Sequence, residues 1–198
     1  HGSVGGWDPF GPERVITRAE GNVLYELDGK PALTLYKKYL GEAAEELPAS
    51  ALQFPLTIRP KGAQTLGTVR TILSIDEEVG SMTFAGDMPE GSIAQLMMAN
   101  FDRLIEGAAD AANSASFEAI QQTSGDKLSI MVSCVGRKIV LGQRIADEVE
   151  AVVEGLGDSW SSLGFYSYGE ISPHSETGSC DLHNQTMTIT LLAEKYDA

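Results

Sequence analysis

A carboxylate set among phenols and a histidine–asparagine pair share one stretch of this chain, from Leu163 to Thr186. It reads Leu163-Gly164-Phe165-Tyr166-Ser167-Tyr168-Gly169-Glu170-Ile171-Ser172-Pro173, then a polar loop, then Leu182-His183-Asn184-Gln185-Thr186. If Gly164–Ile171 is a strand, its two-residue period sends Phe165, Ser167 and Gly169 one way and Tyr166, Tyr168 and Glu170 the other. Two phenols and a carboxylate in a row are costly inside a core and unusual facing water, so the row predicts the border of a cavity. Glu170 would receive an ammonium group or pair with an arginine or lysine. Tyr166 and Tyr168 would form walls with polar tips.

A second cluster is Ser133-Cys134-Val135-Gly136-Arg137, where an apolar strand hands over to a helix. Ligands collect at such strand ends because backbone amides and turn side chains converge there. Arg137 suits a carboxylate in fork geometry, or else pairs with one of the abundant acids. Cys134 reads either as a thiolate activated by the nearby cation or as a buried inert thiol. His183-Asn184 is a binding pair or a turn in which Asn bonds its own backbone. Arg137, Glu170 and the Tyr166/Tyr168 face are expected to line one concavity.

Catalysis is not expected. The chain has no Gly-x-Ser-x-Gly elbow, no glycine-rich phosphate loop and no His-Glu-x-x-His. Cys134 with His183 and Asn184 is the one nucleophile–base set available, and structural duties explain each member. Cys180-Asp181-Leu182-His183 would offer two ligands to a metal, whereas a closed zinc site needs four. With Cys134 and His174 as the remaining soft donors, no metal centre is expected. The two cysteines read as free thiols.

The elements that must position these groups follow from local pattern. Asn22–Leu27 reads as a strand turned by Asp28-Gly29, and Ala32–Leu40 as a short helix stopped by Gly41. Glu42–Ser50 reads as an exposed loop or a frayed turn. Phe54–Ile58, Arg70–Ile75 and Ser81–Phe84 read as strands. Ile93, Leu96, Met97, Phe101, Leu104, Ile105 and Ala108 recur at helical spacing, which predicts a helix capped by Ser92 and continuing past Gly107. Lys127–Ser133 is a strand, followed by a helix from about Gly142 to Glu154. Its core positions would be Ile145, Val149, Val152 and Leu156, with Asp147, Glu148, Glu150 and Glu154 wet. Gly164–Ile171 and Thr186–Ala193 are strands joined by the loop Ser172–Asn184, the last with threonines on a wet face. The sum is an α+β fold, with a mixed or mostly antiparallel sheet and two or three packed helices.

The 198 residues are 42% hydrophobic and 21% charged, ordinary for a globular chain. Fourteen basic against 28 acidic residues leave a net charge of −14, which disfavours nucleic acid and anionic membrane as partners. No run of 18 apolar residues occurs, so no membrane span is expected. Residues 1–9 read as an extension whose His1-Gly2-Ser3 looks like a tag scar. Residues 10–198 read as one domain with a weak sub-boundary near 60–66, at Pro60-Lys61-Gly62-Ala63.

In their order and spacing these motifs resemble the C-terminal half of FIST domains. The resemblance is carried by Gly164-Phe165-Tyr166-x-Tyr168-Gly169-Glu170-Ile171-x-Pro173 with His183-Asn184-x-Thr186, and by Ser133-Cys134-x-Gly136-Arg137 with Glu148 eleven residues on. Phe10-Gly11-Pro12, Gly21-Asn22, Glu26-Leu27-Asp28-Gly29 and Pro31-Ala32 match the family's entry region, so the resemblance runs from about Phe10 to Glu194. It implies a cytoplasmic sensory and signal-transduction domain that binds an amino acid or similar metabolite. The ligand residues would be Cys134, Arg137, Tyr166, Tyr168, Glu170, His183 and Asn184. The partner would be a signalling protein such as a histidine kinase or a cyclic-nucleotide transducer. Two further readings come with the family: a haem protein sensing nitric oxide, with His183, His174 or Cys180 as axial ligand, and a protein-interaction adaptor without a small ligand. FIST proteins usually carry a preceding N-terminal half, which nothing in this chain is expected to supply.

Overall fold

The computed structural model describes residues 1–63, 67–116, 125–173 and 180–194. Two compact units emerge: Trp7–Ala99, rich in strands, and a strand–helix unit made of His1–Gly6 together with Asn100–Ala198. The first strand, β1 (Gly2–Val4), therefore serves the strand–helix unit although it opens the chain. Residues 60–63 of the expected sub-boundary follow β6 in the β-rich unit, where the chain runs on toward its paired neighbour β7.

The β-rich unit holds β2 (Asp8–Pro9), β3 (Arg14–Glu20), β4 (Val23–Leu27), β5 (Lys30–Pro31), β6 (Leu56–Arg59), β7 (Thr68–Arg70), β8 (Ile72–Asp76), β9 (Ser81–Phe84) and β10 (Ile93–Met98). They form an antiparallel sheet in the order β7-β6-β10-β3-β4-β9-β8, with β2 on β10 and β5 on β4. Asp28 and Gly29 both take positive φ, +50° and +71°, in the two-residue turn between β4 and β5. That is the left-handed pair a tight hairpin needs, and the Asp28 carboxylate anchors it by accepting from Val15 N and the Arg14 guanidinium at 2.8 and 3.0 Å. The helix α1 (Ala32–Leu40) buries Ala32, Leu33, Tyr36 and Leu40 against this sheet's core of Ile16, Leu24, Met82 and Phe84. The acidic stretch after it is two short 3₁₀ turns, Gly41–Glu46 and Ala49–Gln53, the turn alternative of the two expected.

The helix expected from Ser92 is corrected. Ile93–Met98 is the strand β10, and α2 begins only at Phe101 and runs to Ala115. Asn100 caps it, its side chain accepting from Asp102 N and Arg103 N at 3.1 and 3.4 Å. β10 pairs with β3 and β6 and buries neighbours Ala94, Leu96 and Met97. A strand buried this way loses its alternation, so its apolar spacing merged with the helix beyond.

In the strand–helix unit, β11 (Lys127–Cys134) and β12 (Ser161–Ser167) run parallel, and β15 (Met187–Ala193) returns antiparallel beside β11. The sheet order is β1-β15-β11-β12, and β13 (Glu170–Pro173) pairs with β14 (Cys180–His183) as a separate ribbon. With mostly antiparallel strands and packed helices, the fold is α+β. Two helices fill the β11–β12 crossover: α3 (Val135–Leu141) and α4 (Ile145–Leu156). Met131, Met187, Ile189 and Leu191 pack under Ala108, Ala111, Ala112 and Ala115 of α2 and Val152 of α4. Small residues on α2 let it approach closely. A Cβ on Gly107 would lie 2.9 Å from Gly6 Cα, which explains a glycine inside this helix.

The α4 face is also corrected. Glu148 is fully buried with Val152, while Val149 and Val153 are exposed. The wheel is rotated so that Glu148 takes the place expected for Val149 beside Val152.

Candidate functional site

Residue parity along β11 divides the site. Ser129, Met131 and Ser133 point toward the helices, and Cys134 points to the opposite face with Val132. Cα partners across strands share a face, so Ser167, opposite Cys134, joins it there. Thr186 lies on the other flank, its carbonyl accepting from Cys134 N at 3.1 Å. Glu170 closes this row of three. Its carboxylate accepts from Ser167 Oγ at 2.7 Å and from Thr186 Oγ1 at 3.0 Å.

Glu170 is 2% exposed. Burial pushes its carboxyl above the usual range, and the hydroxyls of Ser167 and Thr186, the Thr186 amide and the charge of Arg137 only partly reverse this. Among the described residues Glu170 forms no ion pair. Burial, seconded by the charge of Glu170, raises the Cys134 thiol as well, while the amides of Gln185, Gly136 and Arg137 oppose the rise. Such a thiol is a poor nucleophile. Cys134 is buried, Cys180 is exposed, and both are free. A colorimetric thiol reagent is therefore expected to titrate one cysteine promptly, Cys180, and the other only after denaturation; prompt reaction of two equivalents would contradict this burial.

Arg137 faces the other way. Its side chain is fully buried, with Nε 2.6 Å from Glu148 Oε1. Nη2 donates to Leu104 O at 2.7 Å, and Nη1 to the carbonyls of Gly5 and Gln185. Ser133 Oγ completes the set by donating to Glu148 Oε2 at 3.2 Å. The guanidinium fork is thus filled by the protein itself, and no fork geometry is left for a ligand carboxylate.

The expected common concavity is corrected accordingly. Tyr166 is opposite Ser133, on the helix-covered face with Arg137 and Glu148, whereas Glu170 binds Ser167 on the other face. The chain breaks between Ser167 and Glu170, at Tyr168-Gly169, and that break resets the two-residue period. Tyr166 is half-buried, with Lys138 Nζ 5.0 Å from its ring centroid. Its phenol is raised by burial and then by Glu148. Tyr168 is 89% exposed, at the strand break.

His183 is buried opposite Glu170 in the β13–β14 register. Its Nε2 lies 3.0 Å from Ser172 O, and since a carbonyl only accepts, Nε2 carries the proton. Asn184, 1% exposed, donates to His183 O at 3.1 Å, and Gln185 follows with a φ of +60°. This is the turn reading of His183-Asn184, made by the buried Asn184 side chain.

Among the described residues the candidate axial ligands do not fit haem. His183 is buried in β14 with Nε2 on Ser172 O, and Cys180 is exposed on the same strand. His174 lies outside the described residues. Among the described residues no group of three or more His, Cys, Asp or Glu is placed to hold a metal ion. A cavity of ≈ 20 Å³ in the β-rich unit, lined by Arg14, Tyr36 and Tyr39 among apolar groups, holds about one water.

Sequence reasoning passed over Ser133, Glu148, Ser167, Ser172 and Thr186 as functional groups. The signal for Ser167 and Thr186 was parity: each is one residue beyond an apolar strand position, at the same sheet end as Cys134.

The FIST C domain model matches residues 32–173, well over half of the chain. The chain belongs to the FIST C family. FIST domains are sensory and signal-transduction domains. The FIST N domain model matches residues 1–30, a short stretch of the N-terminal half that was not expected here. In this FIST chain the two matches cut across the structural units: residues 1–30 give β1 to the strand–helix unit and β2 to β4 to the β-rich one. An uncharacterized protein of Methanocaldococcus jannaschii is 27% identical over 178 residues, covering 83% of this chain and 32% of that protein. The chain thus spans about a third of the length of the curated relative it matches. No solved structure matches it. Among the described residues no helix is long and apolar enough to cross a membrane.

Proposed function

We propose that this FIST chain is the ligand-sensing part of a signalling protein and that it takes a small amine-bearing metabolite, such as an amino acid, beside Glu170. The supporting observation is the density of buried polar side chains at one sheet end: Glu170, Ser172, His183, Asn184 and Thr186 around a carboxyl that forms no ion pair among the described residues. Such a network costs stability relative to an apolar core. An ammonium group would supply the charge that Glu170 lacks, with Ser167, Thr186 and Cys134 as the floor. Tyr168 would fold over the entrance at the strand break, and Tyr166 would stiffen the same strand from below. His183 and Asn184 hold the turn that carries Thr186. Arg137 positions the floor through Gln185 and Glu148 and touches no ligand. The bound state would be relayed to a kinase or another transducer. Free thiols suit the reducing cytoplasm.

Thermal unfolding followed through Trp160 tests this against a panel of free amino acids and their N-acetylated forms. A free-amine ligand at a hundredfold excess over its Kd should add about 2.7 kcal/mol of stability. Acetylation and Glu170→Gln should each remove the gain. Equal stabilisation by acetylated compounds, or an unaffected Glu170→Gln variant, would sink the reading.

The same substitution carries a pH signature without any ligand. The unfolded chain ionises Glu170 at the ordinary carboxylate value, and the folded chain only at a higher one. Below the ordinary value both states hold the proton and the site costs nothing. As pH rises from there to the raised native value, the folded state loses stability, and above it the loss is constant. Glu170→Gln fixes the neutral form, so its stability relative to the wild type should climb through that window and then level off. A difference that is flat from acid to neutral pH would show that Glu170 ionises freely.

A further inference from the structure

The edge strand β12 carries an inference independent of the ligand site. Among the described residues it ends the β1-β15-β11-β12 order, and its register with β11 runs unbroken over seven residues, Leu128↔Ser161 to Cys134↔Ser167. Edge strands are normally protected by lysine, proline, a bulge or brevity. Ser161–Ser167 has no charge, no proline and no bulge, in a chain of net charge −14. Residues 161–165 are all exposed, and Leu163 and Phe165 stand 51% and 59% exposed on the same face. Solvent gains nothing from a bare apolar edge of this kind.

We infer that β12 pairs with β12 of a second copy of this chain, antiparallel about a two-fold axis at Gly164. The sequence is self-complementary in that register. Gly164 meets Gly164; Leu163 meets the second copy's Phe165 and Phe165 its Leu163, both pairs on one face, and on that face Ser161 meets Ser167. Each symmetric pair is an aliphatic–aromatic cross-strand contact, the kind that stabilises sheets. Self-pairing suits a closed two-fold dimer, because the same patch serves both copies. The uncharged edge is also where two strongly acidic chains approach with least repulsion. Seven residues span about 23 Å, so the interface is small and the dimer is of the weak, reversible class.

Sedimentation equilibrium over a concentration series at physiological salt tests the association. The wild type should dimerise reversibly, and Leu163→Lys should raise the dissociation constant about tenfold or more by setting a charge in the pair. Leu163 is half exposed, so that variant should keep the wild-type unfolding midpoint. The register is tested in a Cys134→Ser, Cys180→Ser background. Leu163→Cys with Phe165→Cys should oxidise to a covalent dimer, and neither single cysteine should. A monomer throughout the series, a dimer indifferent to Leu163→Lys, or cross-linking by a single cysteine would each overturn the inference.

Discussion

Arg137→Met should lower the unfolding free energy of the strand–helix unit by about 3–5 kcal/mol. Little of that is the attraction itself, since a buried pair roughly breaks even against apolar groups of the same volume. The loss arises because Glu148, fully buried on α4, is left without its ion-pair partner and with only Ser133 Oγ beside it among the described residues. The carbonyls of Leu104 and Gly5 also lose their donor. It follows that Arg137→Met with Glu148→Leu should recover most of what the single change removes. Urea unfolding read from Trp160, in a Trp7→Phe background, separates the two cases. A single variant costing less than about 1 kcal/mol would show that the pair is hydrated in solution.

How much of this pair was legible in sequence is instructive. The spacing from Arg137 to Glu148 was visible, and so was the option that Arg137 pairs with an acid. What misled was the helical wheel. Glu148 lies among Asp147, Glu150 and Glu154, and composition alone assigns all of them to water. Only β11 and α3 together, by offering Ser133 and Arg137 to the Glu148 carboxylate, select one acid for burial. The Asp28-Gly29 turn, by contrast, was readable because its chemistry is local: two residues that tolerate positive φ and a carboxylate that bonds the adjacent strand.

The site shows the same division. Glu170, His183, Asn184 and Cys134 were picked out by type and do gather at one sheet end. Tyr166 joins them only if a period of two runs on through Gly169, where the strand does not continue, and Arg137 only because its stretch also flanks a strand, whereas its guanidinium is filled by the protein. Parity is reliable within a strand and carries no information across a break. The assignment of Gly2–Val4 to the sheet was likewise out of reach, since its partner Met187–Ile189 lies at the far end of the sequence. A three-residue strand has no pattern to read.

That short strand carries the second large effect. Gly6→Ala should destabilise the strand–helix unit by about 2–4 kcal/mol, combining left-handed strain with an overpacked contact. Gly6 has a φ of +73°, and a Cβ there would sit 2.1 Å from Arg103 O on α2. The obstacle is helix backbone, which cannot rotate aside as a side chain would. Displacing Gly6 drags Gly5, whose carbonyl accepts from Arg137, so the two sites share a partner. Their effects should therefore be less than additive: with Arg137 already replaced, the Gly5 carbonyl has no donor left to lose. Urea unfolding of both single variants and of the double measures this directly. A double variant equal to the sum of the singles would show that β1 is held by its pairing with β15 and its packing on α2, without help from the guanidinium.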